Sequence, residues 1–226
     1  MRTTFLALIL IMPVAIKAQT DVEYLMEVGG GVGLVSYQGD YNGSPLKGQQ
    51  PMASLMVRRL INPYHGFKAR LGFGKFKGSS DNVETYYPGT AEVPYKFSNT
   101  MADLCVTYEY NFWPYGTGRD YRGAKRLTPF VFGGLGATFV KTTDENVFTA
   151  NLPLGVGVKY KIADRLNLGV EWGIQLSLSD KLDGSDDPYG IESSGMFKNT
   201  DCYTALQVTL TYSFMAKCRT CHNEDE

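Results

Sequence analysis

The sequence predicts an all-β chain: about eight antiparallel strands closed into a transmembrane barrel. Three observations predict it. Apolar and polar residues alternate over stretches that mostly reach the roughly 9–11 residues needed to cross a bilayer on a tilted path, beyond the five to six or so of a soluble strand. Aromatic residues gather at the ends of these stretches, at Tyr24, Tyr108, Tyr110, Phe112, Trp113, Tyr160, Tyr212 and Phe214, where interfacial girdles lie. The connections mostly alternate between long and short, as external loops and periplasmic turns do in outer-membrane barrels. A water-soluble sandwich would bury the same apolar face against a second sheet, but its strands would be shorter.

The elements follow in chain order. Arg2, the apolar run Phe5–Ile16 and Lys17-Ala18-Gln19 read as a secretory signal covering residues 1–18, cut after Ala18. The barrel is assigned to residues 19–214. Its first two strands, Tyr24–Ser36 and Met52–Ile61, alternate with weak contrast. The third sets Phe67, Ala69, Leu71 and Phe73 against Lys68, Arg70, Gly72 and Gly74. The fourth sets Ala102, Leu104, Val106, Tyr108, Tyr110 and Phe112 against Asp103, Cys105, Thr107, Glu109 and Asn111. The fifth, Leu127–Val140, is again weak. In the sixth, Leu152, Leu154, Val156, Val158, Tyr160 and Ile162 oppose Asn151, Gly155, Gly157, Lys159 and Lys161. The seventh, Leu166–Leu178, is the clearest, with every even-numbered residue apolar from Leu166 to Leu178. The eighth sets Leu206, Val208, Leu210, Tyr212 and Phe214 against Ala205, Gln207, Thr209, Thr211 and Ser213. The expected connections are 37–51, 62–66, 77–100, 114–126, 141–150, 163–165 and 179–200. The odd ones are placed outside; the even ones, both termini and a tail over 215–226 are placed in the periplasm.

Composition excludes several functions. Lys and Arg number 22 against 23 Asp and Glu, a net charge of -1, whereas nucleic-acid binders carry a clear basic surplus. Only His65 and His222 could serve familiar metal or triad chemistry. No run of about 18 apolar residues exists to form a membrane helix.

Eight strands leave room inside for side chains, not for a wide channel. The inward set includes Lys68, Arg70, Asp103, Glu109, Lys159, Lys161 and Glu171. Both signs occur, so a paired internal network is expected, because unpaired buried charge is costly. The competing reading, a catalytic pair of Asp103 or Glu109 with Glu171, needs a raised carboxyl pKa that neighbouring Lys and Arg oppose. No catalytic group, cofactor, metal or small-molecule substrate is therefore expected.

Two motifs remain. Cys218-Arg219-Thr220-Cys221-His222 has the spacing of c-type haem attachment, but a short polar tail cannot enclose a haem, and zinc needs a fourth ligand. A local disulfide between Cys218 and Cys221, or a link to a partner, fits better. Cys105 and Cys202 fall on opposite strand faces and are not paired. The acidic stretch Asp180–Asp187 lacks the ligand spacing of a calcium loop. The connection from Trp113 to Arg126 is too long for a periplasmic turn. It carries Tyr115, Arg119, Tyr121, Arg122, Lys125 and Arg126, a mixture that suits either lipid headgroups or a protein-docking platform.

That segment, in the forms Phe112-Trp113-Pro114-Tyr115-Gly116 and Lys125-Arg126-Leu127-Thr128-Pro129-Phe130, resembles the PorG-like outer-membrane barrels of the type IX secretion system. Asn151–Tyr160, Arg165-Leu166-Asn167-Leu168-Gly169, Ser179–Gly184 and Lys198-Asn199-Thr200-Asp201 extend the likeness. The resemblance implies a non-enzymatic barrel in the cell outer membrane, surrounded by outer-membrane lipids and needed for export of cargo with a C-terminal sorting domain. It also implies contact with a periplasmic ring of lipoprotein and partner subunits. A small pore or an adhesin working through its external loops is the alternative; a lipid or peptide hydrolase lacks a suitable His or Ser constellation.

Overall fold

A chain that alternates apolar and polar residues can satisfy its backbone within a bilayer only by closing its sheet. The computed structural model, which describes residues 22–38, 48–79, 96–115, 125–142, 146–178 and 202–216, does this. Its strands are β1 (Tyr24–Gln38), β2 (Gln50–Leu60), β3 (His65–Ser79), β4 (Lys96–Asn111), β5 (Leu127–Lys141), β6 (Asn146–Lys161), β7 (Leu166–Ser177) and β8 (Cys202–Ala216). Each pairs antiparallel with its sequence neighbours, and β1 pairs with β8 to close an eight-stranded barrel. Among the described residues there is no helix.

The wall has two regimes. Over most of its height apolar side chains face out and polar ones face in. Val28, Val32, Leu55, Phe67, Leu104, Val106, Leu135, Val156, Val170, Trp172, Val208 and Leu210 are exposed, while Arg58, Lys68, Glu109, Lys159, Glu171 and Gln207 are buried. A protein solvated by water would reverse this, so the wall is a lipid-facing one. Tyr108, Tyr110, Phe112, Trp113, Tyr160 and Tyr212 stand exposed at one end. That end holds the start of β1 and the end of β8, the turns 61–64 and 162–165, and the two ends of the connection 112–126; it is the termini end. At the other, the loop end, the pattern inverts. Lys75, Lys77, Ser98, Thr100 and Lys141 face out, while Val35, Tyr37, Met52, Phe76, Phe97, Met101, Val140, Val147, Tyr203 and Ala205 pack inside as an apolar cluster. There the barrel continues beyond the lipid as an ordinary water-facing fold.

This inversion explains where the sequence-based boundaries fall short. The expected connection 77–100 shrinks to 80–95 and the expected 141–150 to 142–145. Near Phe97–Thr100, Phe97 and Asn99 face in while Ser98 and Thr100 face out, so the apolar residue lies inside and both outward residues are polar. In β6 both Val147, facing in, and Phe148, facing out, are apolar, so alternation gives no contrast. β8 runs from Cys202 to Ala216, two residues past the expected barrel end at 214, at the termini end. The signal segment 1–18, the acidic loop 180–187 and the tail beyond 216 lie outside the described residues.

One ladder is interrupted. β5 and β6 pair through Gly133↔Leu154 and again from Gly136↔Asn151, with no pairing between. Odd-numbered β6 residues turn their backbone groups toward β5, as Lys161 N–H does in donating to Arg126 O, 2.7 Å away. Pro153 occupies such a position without an N–H to donate.

Candidate functional site

The lumen brings together charges from six strands. Arg58 on β2 pairs with Glu27 on β1, lies 2.8 Å through Nε from Glu109 Oε2 on β4, and reaches Glu171 Oε1 on β7 at 3.5 Å. Lys68 on β3 bridges Glu109 at 3.0 Å and Glu171 at 2.8 Å. Lys159 on β6 binds Glu109 Oε2 at 2.6 Å and donates to Asn111 Oδ1 at 3.0 Å. Arg58, Lys68 and Lys159 thus balance Glu27, Glu109 and Glu171. Neutral donors complete the set: Gln207 Nε2 donates to Glu171 at 2.8 Å, Ser54 Oγ to Gln207 Oε1 at 2.9 Å, and Thr211 Oγ1 to Glu27 at 3.3 Å. Aromatic floors add to this, with Lys159 Nζ 4.2 Å from the Phe130 ring centroid and Lys68 Nζ 4.5 Å from that of Phe132.

Towards the loop end a second layer is built on one ion pair. Arg70 Nη2 lies 2.5 Å from Asp103 Oδ2. The Cys105 thiol points at the same oxygen, 3.2 Å away. Asn151 Nδ2 donates to Thr138 Oγ1 at 2.6 Å, and Thr138 shares a 3.0 Å bond with the Tyr203 hydroxyl. Gly72 faces this pair because a Cβ there would lie 2.0 Å from Asp103 Oδ1. Above it comes the apolar cluster. The lumen of the described residues is therefore filled from the termini end to the loop end.

Lys68, Arg70, Asp103, Glu109, Lys159 and Glu171 all meet partners of opposite charge in this interior. Lys161 does not: at the termini-end mouth it is half-buried and makes no ion pair among the described residues. Arg58 and Glu27 escaped sequence reasoning, although Arg58 touches three carboxylates. Their strands carry apolar residues on both faces, Met52, Met56 and Leu60 among them inside, so no parity stands out. A lone carboxylate at Glu27, sharing the face of Gly29, Gly31 and Gly33, was the available signal. Asp103, Glu109 and Glu171 are each held by a cation, so none is a free base for a substrate. No group of His, Cys, Asp and Glu able to hold a metal occurs among the described residues. Cys105 and Cys202 form no disulfide with each other.

The connection 112–126 has an anchored base. Phe112 N donates to Pro129 O at 3.0 Å, Trp113 N to Thr128 Oγ1 at 3.1 Å, and Lys125 N to Pro114 O at 3.0 Å. Tyr115 N and Asn111 Nδ2 both donate to Pro63 O in the neighbouring turn, at 3.0 and 3.1 Å. Tyr115 itself corrects the expectation of a contact residue. It is 1% exposed, tucked into the mouth, and its hydroxyl donates to Asn167 Oδ1 at 2.7 Å. Burial, followed by the nearby Glu27 carboxylate, raises the pKa of its phenol. An aromatic ring beside an open polar mouth gains more by sealing it than by facing water. Lys125 and Arg126 are exposed; Arg119, Tyr121, Arg122, Cys218 and Cys221 lie outside the described residues.

Comparison with known proteins adds the following. Neisserial surface protein A superposes with a TM-score of 0.48 at 12% identity, over 84% of this chain and 97% of that one. The outer membrane protein OprG from Pseudomonas aeruginosa gives 0.48 at 10% identity, over 88% and 100%. A major outer membrane protein from Thermus thermophilus gives 0.44 at 14% identity, over 84% and 98%. No curated protein matches the sequence. A family model described as a domain of unknown function matches residues 2–223, and the chain belongs to that family, DUF6089.

Proposed function

We propose that this chain is a non-enzymatic outer-membrane barrel serving a protein-secretion machine of the type IX kind. In this reading it holds a periplasmic ring of partner subunits through the connection 112–126 and the tail 215–226. The observation that carries it is the filled lumen: a barrel whose interior is a closed set of ion pairs and whose mouth is sealed by Tyr115 has only its surfaces left for work. The base of 112–126 is tied to β5 and to the turn 61–64, and such a base can present cations to a partner without paying for their ordering at each encounter. Outer-membrane lipids surround the wall. Cys218 and Cys221 would secure the tail, by a mutual disulfide or a link to a partner.

The test replaces Arg119, Arg122, Lys125 and Arg126 together with Ala in cells that export cargo with a C-terminal sorting domain. The expected result is a folded barrel in the outer membrane and loss of export, with the ring subunits no longer co-purifying. Normal export by this variant would remove the platform.

A further inference from the structure

On the outer wall, β7, β8, β1 and β2 carry two features that complement each other. A trough of about 440 Å³ lies over them, lined by Gly30, Val32, Leu168, Val208 and Leu210. Gly30 faces outward between Leu210 on β8 and Leu55 on β2, and its missing side chain opens the trough. Gly30 is not among the positive-φ residues.

Towards the termini end the same strands meet two arginines. Arg59 faces out from β2, level with Met26 on β1 and Phe67 on β3. It is exposed and has no ion pair or side-chain hydrogen bond among the described residues. Arg165, in the turn 162–165, donates through Nε to Tyr24 OH at 3.2 Å and through Nη1 to Tyr212 OH at 3.1 Å. Its guanidinium is thus aimed across β8 towards β1, with further N–H groups left to donate. The outward positions of these four strands carry no carboxylate, and the adjacent Asp164 pairs with neither arginine among the described residues. A cation on a lipid-facing wall is costly without an anionic partner, less so near the interface. Arg59 lies four residues along the ladder from Gly30, about 14 Å at the strand rise. This sets a cationic pair at headgroup depth and an apolar slot at acyl depth.

We infer that this face holds one glycerophospholipid of the leaflet at the termini end, its phosphate between Arg59 and Arg165 and an acyl chain in the trough over Gly30. The inference rests on the lipid-facing reading of the wall.

The test is native mass spectrometry of the full-length protein in mild detergent, with dioleoyl phosphatidylglycerol, dioleoylglycerol or lipid A added. One phosphatidylglycerol stays on each barrel and dioleoylglycerol does not. Arg59→Gln lowers retention about tenfold, the worth of one charge-assisted hydrogen bond. Val208→Trp, which fills the trough, lowers it similarly; Val131→Trp on the opposite wall leaves it unchanged. Equal retention by Arg59→Gln, equal retention of dioleoylglycerol, or displacement by lipid A would overturn the inference. Heat-modifiable gel mobility shows that each variant is folded. Failure of the wild type to insert into lipid vesicles would instead overturn the membrane reading, in a separate assay.

Discussion

Arg58 is the side chain on which the interior charge balance turns, since it touches Glu27, Glu109 and Glu171. Arg58→Ala leaves these carboxylates with only Lys68 and Lys159. The expected loss is about 3–5 kcal/mol, the usual cost of stripping one partner from a buried ionic cluster, read as a lower urea midpoint by tryptophan fluorescence. Arg58→Lys restores charge but not the forked geometry, and falls between. At the mouth, Tyr115→Phe keeps the ring and removes the bond to Asn167, costing about 1 kcal/mol. The folded barrel holds the Tyr115 proton more tightly than the unfolded chain, because burial raises its pKa above the ordinary value of 10.0. Its contribution is therefore complete below about pH 10 and is lost as pH rises further. The stability gap between wild type and Tyr115→Phe should narrow in that range; a constant gap would contradict the buried phenol. At this scale the sequence was legible where a charge shares a face with polar residues and opposes apolar ones, as at Lys68, Glu109 and Glu171. It was least legible at Arg58, whose strand carries apolar residues on both faces, and at Glu27, whose face continues in glycines as far as Gly33. Composition alone misassigned Tyr115, because a ring among cations suits a surface and a seal equally.

At the scale of the strand, β6 shows why inward glycines face aromatic rings. A Cβ on Gly155 would lie 2.4 Å from Trp172 O and 2.5 Å from Phe132 Cζ, and one on Gly157 would lie 2.7 Å from Phe130. The rings that carry Lys68 and Lys159 thus rest on bare backbone. Gly155→Ala must displace a strand carbonyl, at about 1–3 kcal/mol, and should lower the temperature at which the folded gel band is lost. Pro153→Ala is expected to act oppositely on the β5–β6 ladder, supplying an N–H toward Gly134 and slowing amide exchange around the gap. Unchanged exchange there would mean that the gap has another cause. Strands wholly within the lipid, such as β7, were readable from end to end. Those running past the lipid were read only over their lipid-facing part, because the code of inside and outside reverses on leaving the bilayer.

For the molecule as a whole, a filled lumen makes a plain prediction: in planar bilayers the wild-type protein shows no discrete conductance steps. Sustained openings would contradict the packing of the ion pairs against Phe130, Phe132 and the apolar cluster. The eight strands were legible as a count, and their closure followed from the need to leave no edge in lipid. Which residues meet across the barrel was not legible, since lumen partners are set by strand tilt and register rather than by sequence spacing. The seam between β1 and β8, with Tyr24 opposite Ala216, carries a consequence of timing. Synthesis delivers β8 after the other seven strands, and until residues 202–216 arrive both β1 and β7 present open edges. Glu27 meanwhile lacks Thr211, and Glu171 lacks Gln207. Non-local pairing of this kind is slow and exposes sticky intermediates. A chain lacking β8 is therefore not a smaller barrel but an unclosed sheet, with the edges of β1 and β7 bare.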